Sequence, residues 1–161
     1  METLTIPEIV IFTDGSANPQ HKIGAWAALI KETSAITLSG CVTNVNHQQM
    51  ELKAVLEALK YLDTKSYQCR TIIYTDSQYV ADLPKRKIKL FAQNFITSKG
   101  KAVANAELLI TIYQYLERHD LQFIKIPAHQ KKDTGYNENR LVDKLTRKLV
   151  REKVKKIESN L

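Results

Sequence analysis

An α/β fold is what this sequence predicts: a five-stranded mixed sheet, three strands in an antiparallel meander and two parallel, flanked by helices. Two observations carry the prediction. Near the start, three apolar runs follow one another across short polar connections, which is the pattern of a meander. After them, an amphipathic helical stretch leads into a fourth apolar run, and a helical crossover of that kind returns the chain parallel to its first strand.

In order, residues Glu8 to Thr13 form a first strand, Gly24 to Lys31 a second and Ala35 to Val42 a third, the last two separated by Glu32, Thr33 and Ser34. From Met50 to Leu62, Leu52, Val55, Leu56, Leu59 and Leu62 recur at helical spacing. Glu51 shares a stripe with Val55, Ala58 and Leu62, so it faces inward although it is charged. Arg70 to Thr75 is the fourth strand. A polar, basic stretch follows, then a helix from about Asn105 to Arg118, a fifth strand from Leu121 to Ile126, a loop, and a last helix from about Glu138 to Ile157. With no repeat, low-complexity tract or linker, residues 1–161 read as a single domain, large enough to bury roughly 70% of the surface its unfolded chain exposes.

The net charge of +7 and pI near 9.4 point to a polyanionic partner, because a basic field concentrates phosphate-bearing ligands. Cys41 and Cys69, the only cysteines, lie in apolar strand-like runs; two buried thiols fit a reducing, cytoplasmic setting better than a disulfide scaffold. No apolar run reaches membrane-spanning length, so the sequence predicts a soluble protein with no membrane partner.

Four acids stand out. Asp14 ends the run Ile9, Val10, Ile11, Phe12; Glu51 opens a helix; Asp76 ends Ile72, Ile73, Tyr74; Asp143 lies on the flank of the last helix shared with Val150 and Val154. Asp14 and Asp76 fall at the carboxyl ends of two parallel strands, where open α/β sheets place ligands. For one aspartate alone, turn formation or helix capping is the simpler account, and Asp143 beside Lys144 and Arg147 reads equally as a solvated acid. An inward glutamate has no such explanation. Carboxylates in low-dielectric surroundings cost several kcal/mol unless a cation compensates them. An all-oxygen ligand set suits a hard ion such as Mg²⁺, with Mn²⁺ as a substitute, and several carboxylates together suit a two-ion phosphoryl-transfer site.

The order T-D-G-S (Thr13 to Ser16), M-E-L (Met50 to Leu52), Y-T-D-S-Q-Y (Tyr74 to Tyr79), A-H (Ala128 and His129) and V-D-K-L (Val142 to Leu145) resembles type 1 ribonuclease H over nearly the whole chain. The resemblance implies the ribonuclease H-like fold and Mg²⁺-dependent hydrolysis of the RNA strand of RNA–DNA hybrids, leaving 5′-phosphate and 3′-hydroxyl ends. It implies metal ligation by Asp14, Glu51, Asp76 and Asp143 and a catalytic loop histidine at His129. It also implies contacts to the hybrid by Ser16, Asn18, His47, Gln48 and Asn105, and a basic protrusion in which Lys85, Arg86, Lys87 and Lys89 neutralise phosphates while Phe91 and Phe95 pack it down. The run Arg147 to Lys156 reads as a solvated outer face of the last helix.

Within the family, the stretch Phe95 to Asn105 and Ile126 to His129 are most similar to ribonuclease H domains of retroviral reverse transcriptases, so a monomeric free enzyme and a domain of a parent polymerase both stay open. The chain departs from the bacterial pattern at His47, Gln48 and Gln49, where many relatives carry Asn-Asn-Arg, and in the reduced turn Asn18 to Lys22. The loop from His129 to Asp143, with Lys131, Lys132, Gly135 and Asn137, is longer than in bacterial housekeeping members. A binding-only ribonuclease H-like module is the alternative from another class, and such a module is expected to lack one of the four acids. Integrases and transposases of the same superfamily space their acids differently.

Overall fold

A computed structural model describes residues 5–128 and 138–160; His129, Lys131, Lys132, Gly135 and Asn137 lie outside them. Five strands, β1 (Glu8–Asn18), β2 (Ile23–Lys31), β3 (Ala35–Thr43), β4 (Arg70–Thr75) and β5 (Asp120–Lys125), form one sheet in the order β3-β2-β1-β4-β5. The pairs β1 with β2 and β2 with β3 are antiparallel, and β1 with β4 and β4 with β5 are parallel. The helices are α1 (His47–Leu62), α2 (Gln78–Ala81), α3 (Leu83–Ala92), α4 (Ala106–Leu116) and α5 (Glu138–Ser159).

Period-two alternation divides β1 between the two faces of the sheet. Ile9 and Ile11 pack with Ile30, Ile73, Leu52, Val55, Leu59, Leu109, Ile112 and Tyr113, forming the main core beneath α1 and α4. Phe12 turns the other way, joining Ala27, Leu29 and Val142 beneath α5. Farther along α5, Val150 covers Ile23 and Ala25, and at the start of the helix Lys31 Nζ pairs with Glu138 Oε1 at 2.6 Å. The helix therefore lies along the meander.

Three boundaries differ from the sequence reading, each for a local reason. The first strand continues through Asp14 to Asn18 because β2 keeps pairing with it (Asp14 opposite Ala27, Asn18 opposite Ile23) after the β4 ladder has ended at Phe12 and Tyr74. Helix α1 begins at His47, one turn before Glu51, because Asn46 and Gln49 close a capping box: Asn46 Oδ1 accepts from Gln49 N and Gln49 Oε1 from Asn46 N, both at 2.9 Å. Glu51 thus lies in the second turn. The basic stretch resolves into α2 and α3, with Ser77 capping α2 through Val80 N at 3.2 Å and Pro84 in the first turn of α3.

The expectation of two buried thiols is corrected. Cys41 is exposed and Cys69 half-buried, and both are free. β3 is an edge strand, so alternation sends Cys41 outward with Ser39 and Thr43 while Leu38 and Val42 turn inward. Among the described residues no helix is long and apolar enough to cross a membrane.

Gly15 decides how closely α1 approaches β1. A Cβ built there would lie 2.4 Å from both Met50 C and Glu51 N, so only glycine lets the helix backbone sit this low on the strand. Gly15→Ala should cost about 1–3 kcal/mol through overpacking. Urea denaturation of the metal-free protein measures it, and an unchanged midpoint would show that the helix is free to shift.

Candidate active site

The parallel pair Phe12 and Tyr74 is the last rung of the β1–β4 ladder, and their rings stack at 5.0 Å. Asp14 and Asp76 each lie two residues farther on, so both are aimed by the same alternation beyond the end of that stack. Past this rung the strands part company: β1 stays with β2, and β4 turns toward α2. Thr75 Oγ1 accepts from Ser77 N at 3.0 Å and Thr75 O accepts from Ile126 N at 2.9 Å, fixing the backbone on both sides of Asp76. The simpler accounts of these aspartates now fail. Asp14 is within a strand, not a turn, and the residue capping α2 is Ser77, not Asp76.

Because Gly15 admits α1, Glu51 reaches the same spot from a third element. Ligand oxygens of Asp14, Glu51 and Asp76 all lie within 4.8 Å of one another. Asp14 and Glu51 are buried, at 3% and 2% exposure, and Asp76 is half-buried. Burial and the adjacent Asp76 push the Asp14 carboxyl up to about 8, although the Thr146 hydroxyl partly opposes the shift. Glu51 is raised well above the usual carboxylate range by burial and by Asp14 and Asp76. Its Oε1 faces His47 Nε2 at 3.4 Å, while Oε2 is buried with no hydrogen-bond partner among the described residues.

Asp143 borders the same cleft from α5 and stands outside the tight group of three. It is half-buried and held by Arg147 Nε at 3.2 Å from Oδ1. The cleft, about 320 Å³, is lined by the four acids together with Gly15, Ser16, His47, Ser77, Ala128 and Arg147. Arg147 is exposed, as expected of a solvated face, and one turn after Asp143 it also borders the acidic cleft. Donor chemistry and geometry fit a hard divalent cation, since clustered carboxylates and an orphaned buried oxygen are what such an ion satisfies.

The expected hybrid contacts are distributed in and around this cleft. Ser16 and His47 line it directly. Asn18 accepts from His21 N at 3.0 Å in the turn after β1, and borders a neighbouring groove of about 520 Å³ with Arg147 and Arg151. Gln48 Oε1 accepts from Asn105 Nδ2 at 3.2 Å, and Asn105 holds a left-handed backbone (φ 63°) before α4, so these two amides form one unit. On α3, Lys85 and Lys89 are exposed, whereas Arg86 lies over the Tyr79 ring at 4.5 Å and Lys87 approaches Glu117 at 3.5 Å. Phe91 and Phe95 do pack the segment down: both contact Tyr113, whose hydroxyl donates to Leu83 O at 2.6 Å.

Two residues of this site escape the sequence reading. Thr146, fully buried, donates to Asp14 Oδ2 at 3.0 Å. Helical spacing places it one turn from Val142 and Val150, a signal that it is buried though not that it meets Asp14. Gly15 stands out in the sequence only as part of a motif. A larger cavity, about 390 Å³, sits at the opposite end of the sheet; its Asp63 is already paired with His119 at 2.6 Å and Arg118 at 3.0 Å.

Comparison with known proteins agrees with the geometry. The RNase H family profile matches residues 7–151. A ribonuclease H of Caldicellulosiruptor saccharolyticus is 32% identical over 148 residues, covering 90% of this chain and 97% of the relative. A ribonuclease HI of Haemophilus influenzae is 32% identical over 143 residues, covering 88% of each. Among solved structures, a type 1 RNase H with the type 2 active-site motif superposes with a TM-score of 0.74 at 19% identity, covering 92% of this chain and 74% of that one. A foamy viral protease-reverse transcriptase, solved in complex with dsDNA, gives 0.71 at 23% identity, covering 89% and 96%. With a matching profile over most of its length and relatives above 30% identity, the chain belongs to the ribonuclease H family.

Proposed function

We propose that this protein is a metal-dependent endonuclease that hydrolyses the RNA strand of RNA–DNA hybrids. The observation that carries the reading is the meeting of Asp14, Glu51 and Asp76 from three elements within 4.8 Å, in a chain of this family. Asp143, on the rim, completes a set for two Mg²⁺ ions. Ions held by Asp14, Glu51, Asp76 and Asp143 would neutralise charge at the phosphate and acidify a water, and cleavage would leave 5′-phosphate and 3′-hydroxyl ends.

The chain's own groups supply placement. Asp14, Glu51 and Asp76 hold their carboxyl groups in one array set by three elements, and an arriving cation displaces the protons that burial favours on Asp14 and Glu51. Ser16, Asn18 and His47 on one side, and the linked Gln48 and Asn105 on the other, present polar groups suited to ribose 2′-hydroxyls and backbone, which is how RNA is told from DNA. Lys85 and Lys89 offer phosphate contacts at a distance, while Arg86 and Lys87 chiefly hold α3 in place. His129 handles a proton or assists product departure. Residues 1–161 act as one unit on the duplex.

Asp14→Asn tests the centre of this reading. Loss of several kcal/mol of charge stabilisation, at about 1.4 kcal/mol per tenfold, lowers cleavage by about 10³-fold. The fold should survive and gain. Asp14 binds a proton more tightly folded than unfolded, so in chelator the wild type loses stability as pH rises from the usual carboxylate range toward about 8. Asp14→Asn lacks that loss, and its melting advantage should grow from acid to pH 8. Full cleavage activity in Mg²⁺, or an advantage that shrinks with pH, would contradict the assignment.

For the protrusion, Lys85→Ala with Lys89→Ala should flatten the log–log salt dependence of hybrid binding by about 0.7–0.9 for each phosphate that a lysine no longer neutralises. Arg86→Ala should instead lower the melting temperature, since it removes the group covering Tyr79. An unchanged slope in the lysine pair would reduce α3 to a solvated face. His129→Ala should reduce turnover by about 10²–10⁴-fold while hybrid affinity and metal binding persist; loss of metal binding in a calorimetric titration would make it a ligand instead.

A further inference from the structure

Thr146 occupies a position that packing alone would give to valine. On α5 it falls between Val142 and Val150, all three buried against the meander, and it is 0% exposed. A hydroxyl hidden there costs desolvation unless it is bonded. Its Oγ1 lies 3.0 Å from Asp143 O, the bond that a helical threonine makes to its own preceding turn, and 3.0 Å from Asp14 Oδ2 across the interface. One hydrogen faces two acceptors. The carbonyl alone would satisfy the helix, so the approach to Asp14 is additional to what α5 requires. Once Asp14 is ionised, as it must be to hold a cation, its carboxylate is the stronger acceptor and takes the donor.

We propose that Thr146 is a positioning residue for the metal site: its hydroxyl fixes the carboxylate plane of Asp14 and ties it to the helical turn that carries Asp143. The inference rests on the metal-site reading above. By itself, Asp14 on β1 and Asp143 on α5 have no covalent reason to keep a constant separation. Thr146 bonds to the side chain of the first and to the backbone of the second, so movement of α5 relative to β1 is resisted at the point where the fourth acid meets the other three. Oδ2 is engaged by the hydroxyl, which restricts rotation about the Asp14 side chain before any cation arrives. Partners of ligating carboxylates of this kind typically carry about 10–100-fold in metal affinity or activity.

Calorimetric titration of hybrid-free protein with Mn²⁺, at one fixed pH, is the test, using Thr146→Val, Thr146→Ser and Asp14→Asn. Valine keeps the volume and removes the donor; serine keeps the donor. Thr146→Val should bind Mn²⁺ about 10-fold more weakly, Thr146→Ser should stay near wild type, and in cleavage assays the valine variant should lose kcat, partly restored by raised metal, with KM for the hybrid unchanged. Wild-type Mn²⁺ affinity in Thr146→Val, when Asp14→Asn has lost binding, overturns the role of Thr146 and leaves the site standing. Wild-type affinity in Asp14→Asn overturns the site itself. If the valine variant melts below the assay temperature, Thr146→Cys, similar in volume and a poor donor, replaces it with the same two outcomes.

Discussion

Carboxyl groups crowded together out of water, where ionising one raises the cost of ionising the next, set the terms for the rest of this molecule. Asp14 and Glu51 are almost wholly removed from water and Asp76 partly so, yet their oxygens share one small volume. Such an arrangement is unfavourable without a cation, and every nearby feature serves to enforce it. The Phe12–Tyr74 stack ends the ladder just before the two aspartates, Gly15 lowers a helix onto the strand, and Ser77 rather than Asp76 caps the helix that follows. Under the proposed function, stability given up in the empty site would return as affinity for an ion and then as charge stabilisation in the reaction.

The surroundings divide the labour around that centre. On one side of the sheet a large apolar core under α1 and α4 supplies rigidity, so Glu51 and the Gln48–Asn105 pair are held by helices whose apolar faces are buried in that core. On the other, α5 rests on smaller clusters and carries its contribution to the site through polar contacts: Asp143 with Arg147, Thr146 with Asp14, Glu138 with Lys31. The acids carried by β1, α1 and the end of β4 form the tight group, and the acid on α5 borders it.

Much of this is legible in the chain without coordinates. Apolar alternation and the crossover helix define the sheet, and an inward Glu51 beside two strand-end aspartates implies the acid cluster, because those signals arise from residues a few positions apart. What is illegible depends on partners distant in sequence. Nothing within α5 says that the Thr146 hydroxyl will meet a carboxylate 132 residues earlier. That exposed Arg147 borders the acidic cleft follows from where α5 crosses the sheet, and the partial burial of Arg86 from the Tyr79 ring beside it. Cys41 defeats the expectation of burial because an apolar run on an edge strand shows one face to water, and neither hydrophobicity nor length reveals which.

The way β1 changes neighbours also determines which insertions the chain can tolerate. Between Val10 and Phe12 the strand is gripped on both sides, by β2 and β4, whereas from Thr13 to Asn18 only β2 holds it. Length variation in the turn beyond Asn18 is absorbed by one hairpin. A single residue added or lost between Glu8 and Asp14 is a different event: it moves every following side chain to the opposite face of the sheet, carrying Asp14 from the α5 side to the α1 side and a side chain into the gap only glycine fits. Drift in chain length is thus confined to one end of the strand, and the parity of this short segment is as much a part of the active site as the acids themselves.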